Sequence, residues 1–364
     1  MATPKADPAA LAARSLPRLP GERVLLVDVP GEAEAHTLRP APDARFHWFS
    51  TDWPAHVAIG ALGHRCYFGP WIGAGETEGA GDPWDAAVVF LPKGRERIRM
   101  TLAMVSAALP VGSPLWLVGA GRAGIESAGD DLAEFAEVRS VEIGKRSRLL
   151  MAVTRARPDV CLDDFLSTWT LPMPGRSLAV CSFPGVFSHG RLDDGTELIL
   201  SAVRELPAPR LDVGCGAGVI GAAYAHANGA TDETILVDAD ALAVEAARRT
   251  LLANGLPGTV EPADVLPGDG TFRSIVSNPP FHRGVSTDHG VTERLVREAP
   301  ARLVPGGTLT LVCNRFLPVP DQLDAAFGRH EVLAEDSRYK VLRATRAGGG
   351  DGSGRGEKKP RHRK

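Results

Sequence analysis

The sequence has few cysteines, and none of them are paired at short spacing. The chain contains no Cys-x-x-Cys, and the number of cysteines is odd: Cys66, Cys161, Cys181, Cys215 and Cys313. This pattern argues against a disulfide framework or a zinc site and favours a reducing compartment. We therefore expect a cytoplasmic protein with no bound metal.

Long apolar runs are also missing. No run approaches the roughly 20 apolar residues that a membrane helix needs, and residues 1–15 contain one Lys and no continuous apolar core. We therefore expect neither a membrane span nor a signal peptide. With 44% hydrophobic and 23% charged residues, the composition is that of a globular protein, which excludes disorder for most of the chain.

The sequence lacks an excess of positive charge. The formal net charge is −3, and residues 348–364 contain six Lys or Arg against two acidic residues, so the rest of the chain stands at −7. Whole-chain charge therefore gives no sign of a nucleic-acid partner. Two interpretations of the basic tail stay open: it adds affinity for RNA, or it is only a solvated flexible end.

The length of 364 residues suggests two domains. From Arg23 onward, short apolar strand-like runs alternate with helix-like stretches, a pattern typical of parallel α/β sheets. The segment Leu171–Gly175 contains two prolines and a glycine, which indicates a linker or turn, and the alternation restarts after it. We predict a flexible arm over 1–20, α/β domains over 21–170 and 171–347, and a disordered basic tail over 348–364.

The sharpest local motif is a glycine-rich turn. Residues 211–218 read Leu-Asp-Val-Gly-Cys-Gly-Ala-Gly, an apolar strand that enters three alternating glycines and then a helix. Glycine permits positive φ and a close approach of ligand to backbone, and a helix N-terminus offers free N–H groups. Asp238 follows Gly218 by twenty residues at the end of the next strand, where an acid reaches ribose hydroxyls.

The spacing of this turn distinguishes between nucleotide cofactors. A dinucleotide site is expected to read G-x-G-x-x-G, whereas this turn reads G-x-G-x-G with Asp212 before it. That combination suits S-adenosylmethionine, which has no pyrophosphate and carries an ammonium that an acid can attract. An ordinary strand–helix turn is the alternative. A second glycine-rich segment, Gly119–Gly124, lacks the leading acid and is interpreted as structural.

A second motif, Asn278-Pro279-Pro280-Phe281, follows the strand-like run Ser274–Ser277. Two prolines make a rigid, extended corner. An exocyclic amino group on a base is a poor nucleophile because its lone pair is delocalised into the ring. A fixed side-chain carbonyl and a backbone carbonyl can accept its hydrogens and aim the lone pair at a methyl sulfonium. We predict that Asn278 and Pro279 do this and that Phe281 stacks on the base.

With these motifs in place, residues 171–345 resemble the class I methyltransferases, specifically the ribosomal RNA guanine-N2 methyltransferases that modify small-subunit (16S) RNA. The segments that carry the resemblance, besides the glycine turn, are Phe183–Ser188, Leu192–Thr196, Ser277–His282, Asn314–Pro318, Phe327–Val332 and Tyr339–Val341. The first half is similar to that family's degenerate domain through Leu91–Gly94 and Gly121–Gly124.

The resemblance implies two tandem Rossmann-like domains, each a mostly parallel seven-stranded sheet with helices on both faces. The first is degenerate and serves in substrate binding or stability. The second binds S-adenosylmethionine and methylates N2 of a guanine in ribosomal RNA or the small ribosomal subunit. The cofactor residues are then Asp212, Gly214, Cys215, Gly216, Gly218, Asp238 and, near the adenine, Asp264. A plain loop acid is the alternative for Asp264.

Other substrates stay open at this point. The same chemistry fits a guanine of large-subunit ribosomal RNA, a DNA adenine or a protein glutamine, although Phe281 favours guanine. A non-catalytic ribosome-assembly protein is the alternative outside enzymes. The sequence does not determine the oligomeric state, and a monomer is our working expectation.

Overall fold

The computed structural model describes residues 8–39, 45–73, 84–121, 124–227, 233–279 and 286–348, with only the backbone described for 286–289. Two seven-stranded sheets form its frame. The predicted basic tail lies outside these residues except for Gly348. Phe281, the residue predicted to stack on the base, also lies outside them.

The first sheet has the strand order β3-β2-β1-β4-β5-β7-β6, with β7 antiparallel to its neighbours. The elements of this half are α1 (Pro8–Ser15), β1 (Arg23–Val27), α2 (Glu32–Thr37), β2 (Arg45–Ser50), α3 (Trp53–Ala61), β3 (Cys66–Phe68), β4 (Ala86–Phe90), α4 (Arg95–Ala108), β5 (Pro114–Ala120), α5 (Ile125–Leu132), β6 (Ala136–Ile143) and β7 (Ser147–Thr154).

A hairpin of β8 (Ser167–Met173) and β9 (Arg176–Ser182) follows. Its turn falls within the Pro-Gly segment for which the sequence predicts a linker or turn. The hairpin packs on the second domain, because Cys181 N–H donates to Thr250 Oγ1 at 3.0 Å and Ala179 N–H donates to Asn254 Oδ1 at 2.9 Å.

The second sheet repeats the topology of the first, in the order β12-β11-β10-β13-β14-β16-β15, with β16 antiparallel. Its elements are α6 (Asp194–Ala202), β10 (Arg210–Val213), α7 (Val219–Ala227), β11 (Thr234–Asp238), α8 (Ala241–Ala253), β12 (Thr259–Pro262), β13 (Phe272–Ser277), α9 (Ser286–Arg302), β14 (Leu303–Asn314), α10 (Val319–Phe327), β15 (His330–Glu335) and β16 (Tyr339–Thr345).

Both sheets are covered by helices on two faces, as their apolar strands require. Neighbouring residues of one strand enter different cores because side chains alternate between the faces. On β13, Ile275 packs with Leu295 of α9, whereas Val276 packs with Ile199 of α6 and Tyr224 of α7. The same alternation on β1 divides the first domain into two cores. The fold class predicted from the sequence is confirmed.

The predicted flexible arm was wrong for residues 8–19. Helix α1 and a short 3₁₀ turn over Leu16–Arg18 pack on the first sheet, and Leu11, Leu16 and Leu19 are buried. The Ala/Pro-rich composition did not reveal the apolar face of α1, which packs on β5 and β7.

The two domains meet through the segments that follow equivalent strands. Trp53 N–H, after β2, donates to Ala239 O at 2.8 Å, and Ala241 N–H, after β11, donates to Thr51 O at 2.8 Å. Asp52 and Asp240 face each other in this antiparallel bridge. Each caps the helix that follows, α3 and α8 respectively. The contact therefore lies beside the carboxyl ends of both sheets.

Candidate active site

The glycine turn links β10 to α7, and all three glycines have positive φ: +66° at Gly214, +53° at Gly216 and +76° at Gly218. Their surroundings differ. A Cβ on Gly214 would meet no atom within 4 Å, so this residue leaves space for a ligand. A Cβ on Gly216 would lie 3.4 Å from Phe187, and one on Gly218 would lie 3.0 Å from Ala247 of α8. Gly218 therefore serves close helix packing.

Asp212 lies behind this turn and is buried. Its Oδ2 accepts a hydrogen bond from Gly221 N–H of α7 at 2.8 Å, and its Oδ1 has no partner among the described residues. Burial raises the pKa of this carboxyl to about 7. Asp212 Oδ2 thus fixes the start of α7 through Gly221, and the acid contributes negative charge to the turn when it is ionised.

Asp238, at the end of β11, accepts hydrogen bonds from Gly216 N–H and Asp240 N–H, both at 2.9 Å. Burial raises the pKa of Asp238 to about 6. The backbone N–H donors lower this pKa in opposition, and the nearby Asp240 carboxylate raises it by a smaller amount than burial does. The acid is therefore held against the glycine turn by the backbone, at the position that the sequence predicts.

A cavity of about 290 Å³ opens between the turn and the end of β13. Six of the predicted site residues line it: Gly214, Gly216, Asp238, Asp264, Asn278 and Pro279. Asp212, Cys215 and Gly218 do not line it and support it from behind; Cys215 is buried. Phe187, Asp240 and Leu295 are among the other lining residues. The structure thus brings both sequence motifs to one cavity.

The amide of Asn278 is held at both hydrogens of its nitrogen. Nδ2 donates to Asp193 Oδ2 at 3.0 Å and to Thr196 Oγ1 at 2.9 Å, and Asn278 is buried. Asp193 caps α6 with the same oxygen, which accepts from Gly195 N–H and Thr196 N–H. Because both amide hydrogens are used, the carbonyl Oδ1 is the atom left to accept a hydrogen from a ligand.

Sequence reasoning did not assign a role to Asp193 or Thr196. They belong to the stretch Leu192–Thr196 that carries part of the family resemblance, but their contact with a residue more than eighty positions away is visible only in the fold. The signal in the sequence was an Asp followed by a helix-like segment, which indicates a helix cap.

Asp264, beyond β12, lines the cavity and pairs with Arg294 Nη1 of α9 at 2.8 Å. A second guanidinium nitrogen donates to the Asp264 backbone carbonyl. This bidentate contact fixes the loop next to Val265, whose φ is +78°. Asp264 is therefore an ordered wall of the cavity.

The first domain contributes a buried cation to this site. Arg97 of α4, with 7% of its side chain exposed, donates to Pro184 O at 3.3 Å and to Asp240 Oδ1 at 3.1 Å. Burial raises the pKa of Asp28, which follows β1, and nearby Arg97 lowers it by a smaller amount. Pro184 and Asp240 lie 87 and 143 positions after Arg97 in the chain, and nothing in the sequence predicted these contacts.

Among its described residues, the first domain has no equivalent of the glycine turn. The loop after β1, which corresponds to β10, reads Asp28-Val29-Pro30-Gly31. The glycine-rich segment Gly119–Gly124 follows β5, which corresponds to β14, a strand that does not carry the cofactor turn; Arg122 and Ala123 lie outside the described residues. Within the part of the chain that the structure describes, only the second domain therefore has the geometry of the site.

A larger cavity of about 920 Å³ lies between the domains, lined by Trp53, Phe68 and Trp71 among others. Its two arginines are occupied: Arg248 donates to Val260 O, and Arg249 pairs with Asp163 and Glu245. We place the chemistry in the smaller cavity because the backbone donors, buried acids and held amide converge there.

All five cysteines are free. Among the described residues, no cluster of three or more His, Cys, Asp or Glu side chains could hold a metal ion. No helix in the same part of the chain is long and apolar enough to span a membrane.

Two family models match the chain, one in each half. The methyltransferase small domain matches residues 177–343, and the methyltransferase small domain N-terminal model matches residues 10–169. The range 10–169 contains the first sheet, and the range 177–343 contains the second sheet apart from the last two residues of β16. Every residue that lines the smaller cavity falls within 177–343.

Individual proteins match over most of their length. Ribosomal RNA small subunit methyltransferase C of Pseudomonas aeruginosa (strain LESB58) is 42% identical over 275 residues, 75% of this chain and 82% of the relative. The protein of the same name from Stutzerimonas stutzeri (strain A1501) is 37% identical over 339 residues, 90% and 95% of the two chains. A solved structure, the T. thermophilus 16S rRNA N2 G1207 methyltransferase in complex with AdoMet and guanosine, is 26% identical with a TM-score of 0.77, covering 93% of this chain and 92% of that one.

Proposed function

The chain belongs to the ribosomal RNA small subunit methyltransferase C family, and from this premise we propose that it transfers a methyl group from S-adenosylmethionine to N2 of a guanine in small-subunit ribosomal RNA. The observation that carries the proposal is the amide of Asn278, held at both hydrogens beside an acid-lined cavity. This geometry presents one fixed acceptor to an amino group.

The cavity fits this cofactor in charge and shape. Asp238, Asp240 and Asp264 line it, and Asp212 lies behind it with one oxygen unpartnered among the described residues. The cofactor carries an ammonium and a sulfonium, which such a field favours. The open space at Gly214 admits a ligand against the backbone. When bound, the cofactor supplies an electrophilic methyl group on sulfur.

The chain's own residues position the amino group. The Oδ1 of Asn278 and the backbone carbonyl of Pro279 accept its two hydrogens, so that its lone pair points at the methyl carbon. Phe281 stacks on the guanine. The newly methylated nitrogen would carry a positive charge, so it would release its proton to water without a dedicated base, and no covalent bond to the enzyme would form. The first domain assists by stabilising the site and contacting the substrate.

The experiment that tests this proposal has two parts. Mapping modified guanines in ribosomal RNA from a deletion strain identifies the lost methyl group, and complementation with the wild-type gene restores it. Loss from large-subunit RNA, from DNA or from a protein instead would contradict the proposal. A deletion strain with unchanged methylation would support a non-catalytic assembly protein.

The role of Asn278 is tested in the purified enzyme. Asn278→Ala removes a pre-oriented acceptor, so we expect turnover to fall by about 10²–10³-fold. Cofactor affinity measured by calorimetry stays close to wild type, because Gly214 and Asp238 are untouched. Normal methylation by this variant would show that the assignment of Asn278 is wrong.

Location and assembly complete the proposal. Five free cysteines suit a reducing compartment, and we propose that the protein acts in the cytoplasm as a monomer. Sedimentation of the purified protein tests the second statement.

A further inference from the structure

Exposed aromatic rings are rare in this protein and lie at one edge of it. Among the Phe, Tyr and Trp side chains that the structure describes, only Phe187 and Phe316 are exposed, at 45% and 77%. Phe187 lines the smaller cavity beside the glycine turn. Phe316 follows β14, the strand next to β13, so it lies at the same carboxyl edge of the second sheet. Aromatic surface that is left uncovered at the mouth of a site indicates a contact with a ligand.

Phe316 stands above the cavity because β14 is longer than its neighbour. Ser277, the last residue of β13, pairs with Leu311, and β14 continues for three more residues to Asn314. At about 3.3 Å per residue, the end of β14 lies about 10 Å beyond the strand end that carries Asn278, and the two strands are only about 4.8 Å apart. Phe316 comes two residues later, in a turn that closes back on Asn314. It therefore lies at the rim of the site, within reach of a nucleotide adjacent to the one in the cavity.

The turn that presents this ring is held by its backbone. Phe316 N–H donates to Asn314 Oδ1 at 3.2 Å, and Leu317 N–H donates to Asn314 O at 3.0 Å. Arg315 N–H donates to Arg338 O at 3.0 Å, which ties the turn to the hairpin of β15 and β16. A Phe side chain has only two torsions, so a ring on a held backbone loses little entropy when it binds.

The charged side chains around this turn are already paired. Arg315 pairs with Glu335 at 2.7 Å, and Arg338 pairs with Asp194 at 2.6 Å. The ring of Phe316 is therefore the feature that the turn offers to a ligand, and a flat apolar surface binds by stacking rather than by charge. This favours a nucleobase over a phosphate group as the occupant.

We propose that Phe316 stacks on an RNA base adjacent to the target guanine and so holds the strand while the guanine occupies the cavity. A base that leaves its stack for an active site uncovers the faces of its neighbours. An aromatic side chain at the rim can cover such a face, and every base has a π-face that it can use. This inference rests on the proposed function, since it assumes an RNA substrate with its guanine in the cavity.

The first test compares full-length variants on small ribosomal subunits from the deletion strain, which lack the methyl group. Phe316→Ala removes the ring, Phe316→Leu retains an apolar side chain without a π-face, and Phe316→Tyr retains a ring. The control is Leu252→Ala, which truncates an apolar side chain that is 81% exposed in the last turn of α8. Affinity for subunits is measured against salt concentration, together with turnover and cofactor affinity.

We expect Phe316→Ala and Phe316→Leu to bind subunits about ten-fold more weakly, which is the usual size of a lost base–aromatic stack. The slope of log affinity against log salt stays at the wild-type value, because no phosphate contact is lost. Phe316→Tyr and the control stay within about two-fold of the wild type. Cofactor affinity is unchanged in all four variants, since Phe316 lies above the cavity and does not line it.

The second test identifies what the ring contacts. A photoreactive phenylalanine analogue, 4-azidophenylalanine, is introduced in place of Phe316 and, as the control, in place of Leu252. Complexes with small subunits are irradiated, and the cross-linked nucleotides are mapped by reverse transcription. We expect the analogue at position 316 to cross-link to a nucleotide directly next to the target guanine, whereas the analogue at position 252 does not.

Four results would overturn the inference. They are wild-type affinity in Phe316→Ala, equal affinity in Phe316→Leu and Phe316→Tyr, a cross-link to a ribosomal protein in place of RNA, and a cross-link only to nucleotides distant from the target. A wild-type enzyme that neither binds small subunits nor methylates their RNA would instead contradict the proposed function, so the two failures are distinguishable.

Discussion

At the residue scale, the amide of Asn278 depends on two partners from another element. Asp193 and Thr196 accept its two hydrogens, so the direction of its carbonyl oxygen is fixed before a substrate arrives. A buried side chain held in this way loses little entropy when it binds. We therefore regard Asp193 and Thr196 as positioning residues.

Replacing Thr196 by Val removes one acceptor at nearly constant volume. We expect kcat to fall about ten-fold, because the amide of Asn278 loses part of its orientation, whereas cofactor affinity stays unchanged. Thr196→Ser retains the hydroxyl and should retain most of the turnover. Equal losses in both variants would indicate that Thr196 acts by packing alone. Steady-state methylation and calorimetry provide the two readouts.

The buried acids make stability depend on pH. Burial raises the pKa of Asp212 to about 7 and that of Asp238 to about 6, above the values of the unfolded chain. Between pH 4 and 7 the folded state therefore binds more protons than the unfolded state, so the free energy of unfolding decreases as pH rises through this window. A cationic ligand offsets this cost.

Asp212→Asn tests this dependence. Without cofactor, we expect the difference in melting temperature, variant minus wild type, to become more positive from pH 5 to pH 8. The reason is that the variant does not bury a charge when the pH rises. Cofactor affinity falls at the same time. Asp269→Asn, an exposed acid in the loop before β13, is the control and should show no such trend. A pH-independent difference for Asp212→Asn would contradict the assignment.

At the element scale, the three glycines of the turn serve different neighbours. Gly214 faces open space in the cavity, whereas Gly218 lies against Ala247 and so lets α7 approach α8. Both have positive φ, which costs about 1 kcal/mol for a residue with a side chain. Any further effect of an alanine methyl group on stability therefore depends on the space around each glycine.

Alanine at these two positions should separate stability from binding. We expect Gly218→Ala to reduce the free energy of unfolding by about 1–3 kcal/mol more than Gly214→Ala does, because the added methyl group overpacks the contact between α7 and α8. Gly214→Ala should chiefly weaken cofactor binding. Thermal unfolding and calorimetry measure the two effects. Identical stability losses would show that backbone strain alone decides both.

The Ala/Pro-rich composition around helix α1 predicted a flexible arm, but the helix packs into the core of the first domain. Leu11 is 1% exposed, so Leu11→Ala should cost about 2–4 kcal/mol of the free energy of unfolding. Arg14→Ala, on the exposed side of the same helix, should cost under about 0.5 kcal/mol. Chemical denaturation compares the two variants. A small effect at Leu11 would restore the interpretation of residues 8–19 as a frayed arm.

At the scale of the whole molecule, the domain without a glycine turn still completes the active site. Arg97 crosses the interface to Asp240, whose backbone N–H holds Asp238. The same arginine faces Asp28. Removing one partner of a buried charge group leaves the others uncompensated, which is usually more costly than the pair is worth.

Arg97→Met should therefore lower stability by about 3 kcal/mol or more and weaken cofactor binding at the same time. Arg97→Lys keeps the charge but loses the paired contact with Pro184 and Asp240. Its stability and cofactor affinity should therefore lie between those of the wild type and those of Arg97→Met. Melting curves and calorimetry test both. Unchanged cofactor affinity in a destabilised Arg97→Met would mean that the interface supports folding without reaching the site.

Three features were predictable from the sequence: the two α/β halves, the glycine turn with Asp212 and Asp238, and the corner at Asn278. Each depends on contacts among near neighbours in the chain. A strand's apolar run, the φ values open to glycine and the rigidity of proline are local properties.

The distant residues that support these features became apparent only in the fold. Asp193 and Thr196 meet Asn278 across β13 and α6, and Arg97 reaches Asp240 from the other domain. Such contacts depend on strand order and helix packing, and a single sequence without its fold contains no local pattern that pairs them.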